Sequence, residues 1–279
     1  MSVTLDQILA NTRQRVDALL HSSAAKVLKE QARQHTPRGF KRTLRERAAE
    51  GIAVIAELKK ASPSKGVIRQ HFSAVRLARE LEQAGAAALS VLTDEKYFQG
   101  SLGNLHDAST ATRIPCLRKD FMVHELQLHE ARAHGADAVL LIAAALRDDE
   151  MLLLFEKSRE LELDVLCEVH NERELERAMS IGFDIIGVNS RDLKTFHVDP
   201  EAPLRLGEKL PRSALRVAES GIHTADRLRQ LREAGYHAFL IGESLMYADS
   251  PGEKLRQLIS EVGTHTLGAE QPVRSRGKL

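Results

Sequence analysis

Short apolar runs recur along this chain, and each gives way to a stretch whose apolar residues fall at helical spacing. Residues 51–56 are nearly all apolar, as a strand buried on both faces requires. They run into Glu57 and Lys59, whose i, i+2 spacing puts both charges on one face of the strand. Ser62, Pro63, Ser64, Lys65 and Gly66 then break the run and predict a loop with hydroxyls and backbone donors near those charges. Ser73 suits an N-cap for a helix through Gln83, with Gly85 as its stop.

The same unit returns seven more times. Apolar runs at 86–92, 115–120, 136–143, 164–169, 184–188, 215–218 and 237–241 each precede a predicted helix. Those helices are expected up to about residue 112, then at 124–134, 148–161, 171–180, 201–209, 224–233 and 252–261. Ahead of the first run, Leu5, Ile8, Leu9, Val16, Leu19 and Leu20 predict one amphipathic helix over 5–20 that braces or covers the strands. From Thr264 on, the chain turns polar without periodicity and is expected to be a frayed tail.

Eight alternating strand–helix units predict an α/β fold, a single (β/α)8 TIM barrel with an N-terminal helical extension. The expected division is an extension at 1–50, a barrel at 51–263 and a tail at 264–279. A doubly wound open sheet is the alternative, but it would more often carry a Gly-rich dinucleotide turn, and no GxGxxG occurs.

Composition narrows the partner. Forty Lys and Arg against thirty-nine Asp and Glu leave a formal charge of +1, which argues against a nucleic-acid or membrane-surface binder and for a small molecule. No apolar run approaches the roughly 20 residues of a membrane helix, and the first residues lack the order of a signal peptide, so a cytoplasmic location is expected. Cys116 and Cys167 lie in apolar runs and read as buried free thiols. The histidines form no HExxH or HxH pair; His124, His129 and His134 recur every five residues and read as surface positions, so no metal is expected. GxSxG and CxxC are absent, which leaves serine-nucleophile and dithiol chemistry without support.

In such a barrel, polar residues at the carboxyl ends of strands read as chemistry. Glu57, Lys59, Asp94, Lys119, Glu168, Asn189, Arg191, Glu219, Ser220 and Gly242 stand where the apolar runs stop. Ser220-Gly221 and Gly242-Glu243-Ser244, after the seventh and eighth runs, fit the place where barrels bind phosphate through backbone N–H groups.

Several segments together are more specific. AELKKASPSKG (56–66), SVLTDEKYFQGS (90–101), LRKDF (117–121), CEVHNERELERA (167–178), GVNSRDLKTF (187–196), AESGI (218–222) and IGESLM (241–246) closely resemble the indole-3-glycerol phosphate synthase family, in the family's order, over about residues 5–262. The resemblance implies tryptophan biosynthesis: ring closure of 1-(2-carboxyphenylamino)-1-deoxyribulose 5-phosphate to indole-3-glycerol phosphate, with loss of carbon dioxide and water and no cofactor. It implies Lys119 as the acid and Glu168 as the base, with Lys59 binding the substrate's anionic group or sharing the acid's role. Glu57 would hold and polarise the lysines, and Asn189 and Arg191 would orient polar groups of the substrate. Glu219 would bind a hydroxyl, while Ser220, Gly221, Gly242 and the backbone of Glu243 would cradle the phosphate. Ser62 would belong to a mobile loop, and Phe98 and Phe121 to an apolar wall against the anthranilate ring. One departure is visible: Ser190 stands where the family usually has a second asparagine, and strand alternation turns it away from the site.

Two other readings are weighed. Another phosphate-binding barrel, such as phosphoribosylanthranilate isomerase, would need a cysteine and aspartate pair in place of Lys119 and Glu168. A ligand-binding barrel that had lost catalysis would lack at least one of Lys59, Lys119 or Glu168, and all are present. The expected protein is a monofunctional monomer that takes a small phosphorylated substrate, with no nucleic-acid or membrane partner.

Overall fold

A computed structural model describes residues 3–192 and 197–264. Eight parallel strands close into a barrel among these residues: β1 (Ala53–Leu58), β2 (Ala88–Leu92), β3 (Cys116–Lys119), β4 (Ala138–Ile142), β5 (Asp164–Val169), β6 (Ile185–Asn189), β7 (Leu215–Glu219) and β8 (Ala238–Ile241). Each pairs with its neighbours in chain order, and β8 returns to β1 through pairs such as Ala56 with Ile241. Every residue of β1, β2, β4, β6 and β8 is buried, which is why these strands read as unbroken apolar runs rather than alternating ones. Register then sets the site: Leu92 lies beside Lys119, Ile142 beside Glu168 and Asn189 beside Glu219, all at the carboxyl end.

The segment before the barrel differs from its prediction. Three helices precede β1, not one: α1 (Leu5–Leu20), α2 (Ala24–Ala32) and α3 (Phe40–Glu50). Thr4 caps α1 with a capping box to Gln7, and α1 lies against the carboxyl end, where Arg15 reaches Asp120 at 3.2 Å. α3 crosses the opposite end. Its Phe40 and Leu44 are fully buried, while Lys41 bonds Asp164 through its backbone N–H and pairs with Asp184 through its ammonium. The reason α3 escapes a periodicity search is its composition: FKRTLRERAAE has two buried apolar anchors among charges.

After β1, residues 61–67 form a small antiparallel hairpin, Ala61–Ser62 against Gly66–Val67, where a plain loop is predicted. Beyond it come α4 (Ala74–Gln83), capped by Ser73, then α5 (Glu95–Phe98), α6 (Leu102–Ala111), α7 (Leu126–Ala133), α8 (Asp148–Glu160), α9 (Glu172–Ile181), α10 (Ala202–Gly207), α11 (Ala225–Glu233), α12 (Glu243–Tyr247) and α13 (Pro251–Thr264). The tail expected from residue 264 on, and the last four residues of the segment 187–196, lie outside the described residues apart from Thr264, the last residue of α13. His124, His129 and His134 are half-buried rather than on the surface, and Cys116 and Cys167 are buried free thiols. Burial pushes the Cys116 thiol up to about 12, so it stays protonated and inert.

Candidate active site

One cavity opens at the carboxyl end of the barrel, with about 1030 Å³ of empty space out to the solvent. Its walls bring together all the residues singled out in the sequence: Glu57, Lys59, Ser62, Phe98, Lys119, Phe121, Glu168, Asn189, Arg191, Glu219, Ser220, Gly221, Gly242 and Glu243. They come from the ends of different strands and meet only because the sheet closes.

At the centre is a charged cluster. Lys119 Nζ donates to Glu168 Oε2 at 2.9 Å and lies 3.7 Å from Glu219 Oε2. Burial alone would lower the lysine's pKa, but the charges of Glu168, Glu219 and Glu57 outweigh it and hold the ammonium well above the ordinary lysine range. Burial would likewise raise Glu168, yet Lys119 and His170 hold it well below the carboxylate range. Glu219 goes the other way. Burial first, then the neighbouring charge of Glu168, push it up to about 8, and neither of its oxygens has a hydrogen-bond partner. Two carboxylates beside one ammonium cannot both ionise cheaply, so the proton sits on Glu219.

Glycines make room for these carboxylates. A Cβ on Gly187 would fall 2.1 Å from Glu219 Oε1, and one on Gly242 would fall 2.3 Å from Glu57 Oε1. Gly242 thus admits Glu57 to the barrel mouth as well as standing at the start of α12. Lys59 lies just past the end of β1, with Nζ 2.6 Å from Glu57 Oε1, on the same side as the strand alternation predicts.

On one wall, the rings of Phe98 and Phe121 lie 6.4 Å apart at 39°. On the other, Arg191 donates to Glu243 Oε2 at 3.1 Å and its backbone N–H to Asn189 Oδ1 at 2.9 Å. Lys65 of the hairpin reaches to 3.9 Å from Glu243, and Ser62 lines the same rim. Ser220 and Gly221 have φ of 63° and 69°, so two successive residues turn the backbone through the left-handed region at the cavity wall. Ser190 lines no part of the cavity; its hydroxyl donates to the Glu219 carbonyl at 3.1 Å and pins the end of β7.

Residues 5–258 match the family model for indole-3-glycerol phosphate synthase. The chain belongs to the indole-3-glycerol phosphate synthase family. It is 59% identical over 259 residues to the indole-3-glycerol phosphate synthase of Koribacter versatilis, covering 93% of this chain and all of that one. It is 45% identical to the same enzyme of Burkholderia multivorans, over 92% of this chain and 99% of that one. Among solved structures, KGPDC from Streptococcus mutans matches 76% of this chain and 98% of its own with a TM-score of 0.58 at 9% identity, a likeness of fold alone. Family membership makes the chain a decarboxylating lyase of tryptophan biosynthesis.

For a synthase of this family, sequence reading placed Asp94 at a strand end without giving it a role, and passed over His170. Asp94, a buried strand-end residue, caps α5 through Oδ1 and leaves Oδ2 without a partner at the cavity wall; burial raises its pKa. His170 stands two residues after Glu168 with its Nε2 at 3.2 Å from Glu168 Oε1. The i, i+2 spacing was a signal for His170, because it puts both side chains on one side of the chain. No group of three His, Cys, Asp or Glu among the described residues is placed to hold a metal ion. No helix among them is long and apolar enough to cross a membrane.

Proposed function

We propose that this cavity closes the indole ring of 1-(2-carboxyphenylamino)-1-deoxyribulose 5-phosphate with Lys119 as the proton donor and Glu168 as the base. The observation that carries the assignment is the Lys119–Glu168 contact of 2.9 Å, made inside the barrel mouth between an aromatic wall and a left-handed backbone turn. The ring carbon that bears the carboxylate attacks the ketone, and Lys119 protonates the oxygen as negative charge develops on it. Loss of carbon dioxide restores the benzenoid ring. The new hydroxyl then takes a proton from Lys59, which shares the acid's role, and leaves as water, and Glu168 takes the ring proton whose loss completes the pyrrole.

The surrounding residues orient the substrate. Lys59, held by Glu57, binds an anionic group, and Phe98 and Phe121 sandwich or flank the aryl ring. Asn189 and Arg191 hold polar groups, and a neutral Glu219 donates to a substrate hydroxyl. Ser220, Gly221, Gly242 and the backbone of Glu243 take the phosphate, with Ser62 on the hairpin that closes over it. Residues 1–50 act as an integral brace of the barrel, the working unit is a monomer, and the enzyme operates in the cytoplasm.

Indole fluorescence on adding the carboxyphenylamino substrate tests the assignment. The parent turns over, while Lys119→Ala and Glu168→Gln each lose about 10²–10⁴-fold in kcat and keep phosphate-dependent binding. A folded parent that binds the substrate without turnover would instead be a ligand-binding barrel.

A further inference from the structure

Glu168 is gripped from both sides, and only one grip belongs to the acid–base pair. Lys119 donates a hydrogen bond to Oε2, while the ring of His170 stands 3.2 Å from Oε1 through Nε2, an ion-pair approach outside hydrogen-bond geometry. The ring is itself fixed from behind. Its Nδ1 lies 3.0 Å from Glu174 Oε2, which also accepts the His170 backbone N–H at 2.8 Å. Glu174 is locked in turn by Asn171, the N-cap of α9: the Asn171 amide donates to Glu174 Oε1 and its oxygen accepts the Glu174 N–H. His170 lines no part of the catalytic cavity and its side chain is 9% exposed.

We infer that His170 is a positioning residue, which holds the Glu168 carboxylate oriented and ionised from the side away from the substrate. The inference rests on the reading of Glu168 as the base. A ring with one nitrogen bonded to Glu174 and the other 3.2 Å from the Glu168 carboxylate is placed to carry a proton on each nitrogen, as a buried cation. Burial opposes that charge, but Glu168 and Glu174 raise the ring to about 10. Among the described residues, Lys119 from β3 and Glu219 from β7 face this pair from the cavity side, while Glu172 of α9 and Arg205, Glu208 and Lys209 at and after α10 surround a shallow outer pocket with His170. With two cations beside it, Glu168 stays ionised to a pH well below the ordinary carboxylate range, and the acid limb of turnover marks where it takes up its proton.

The test is the pH profile of kcat and kcat/KM for His170→Ala and His170→Gln. Removing the cation raises the pKa of Glu168, so the acid limb moves up by about 1 unit in both variants. Glutamine restores a neutral donor and recovers part of the roughly 10-fold loss in kcat expected for alanine, without restoring the limb, while KM stays within about two-fold. An acid limb that does not move in folded His170→Gln overturns the inference. In the parent, ring ¹⁵N shifts should report both nitrogens of His170 protonated at neutral pH; a neutral tautomer there also overturns it, and needs no variant to fold. Near-parental turnover by Glu168→Gln would sink the base assignment itself. An inactive Glu168→Gln beside an unmoved limb sinks only the role of His170.

Discussion

Both ends of the barrel bury charged side chains, and they use them in opposite ways. At the amino end, Asp137 accepts bonds from Arg38 Nη2 at 2.6 Å, Arg38 Nε at 3.0 Å, the Arg38 backbone at 2.7 Å and the Cys116 backbone at 2.6 Å, with His35 at 3.1 Å. Burial would raise this carboxyl, but the bonds from His35 and Arg38 hold it below its usual range. At the carboxyl end Glu219 has no hydrogen-bond partner, Asp94 leaves one oxygen bare, and three carboxylates surround Lys119. A buried group whose bonds are complete stabilises the fold; one left incomplete costs stability and is available to a ligand. The difference separates a structural floor from a reactive mouth.

Substitutions can break that contrast. The largest effect is expected at the mouth, where Lys119→Ala removes about 10²–10⁴-fold of kcat and also costs stability, though less than at the floor because Glu168 can take up a proton once its cation is gone. At the floor, Asp137→Ala strands the Arg38 guanidinium and costs about 3–5 kcal/mol in denaturant unfolding, with kcat of the folded fraction unchanged. Equal losses of stability at both ends would erase the distinction.

Glu219→Gln sharpens it through pH. Because the folded-state pKa of Glu219 is raised, its carboxyl contributes stability that is complete below the unfolded carboxylate value and is lost as pH rises through about 8. Glutamine stays neutral, so the variant should melt above the parent at pH 8 and close to it near pH 5. A difference that grows towards low pH would contradict a proton on Glu219. The smallest effect is expected at Ser220, whose φ of 63° is strained for a residue with a Cβ. Ser220→Gly should gain about 1 kcal/mol while KM for the phosphorylated substrate rises, as the mouth trades stability for a fixed turn.

The barrel was legible because its strands are buried on both faces, so each appears as an apolar run that needs no knowledge of its neighbours. The candidate site residues were legible for the same reason: Lys119, Glu168, Asn189 and Glu219 end those runs, and a polar group at the end of a buried strand stands out. The helices of the extension were harder. α3 is held by tertiary contacts, with Phe40 and Leu44 buried in the core, Lys41 bonded to Asp164 and Arg38 just ahead of the helix bonded to Asp137, and little in FKRTLRERAAE marks an amphipathic face. His170 was visible as a letter in CEVH, but its role depends on where the ring points.

By itself the sequence determined which segments are the buried strands, the alternation of strand and helix within the barrel, and the chemical types placed at each strand end, because these follow from local periodicity and side-chain chemistry. Tertiary structure alone decided which oxygens are satisfied and which are left bare. Closing the sheet put Lys119 among Glu168, Glu219 and Glu57, used Gly187 and Gly242 to admit two carboxylates, and seated His170 between Glu168 and Glu174. Protonation depends on distances of a few ångströms between groups far apart in the chain, and only the closed barrel sets those distances.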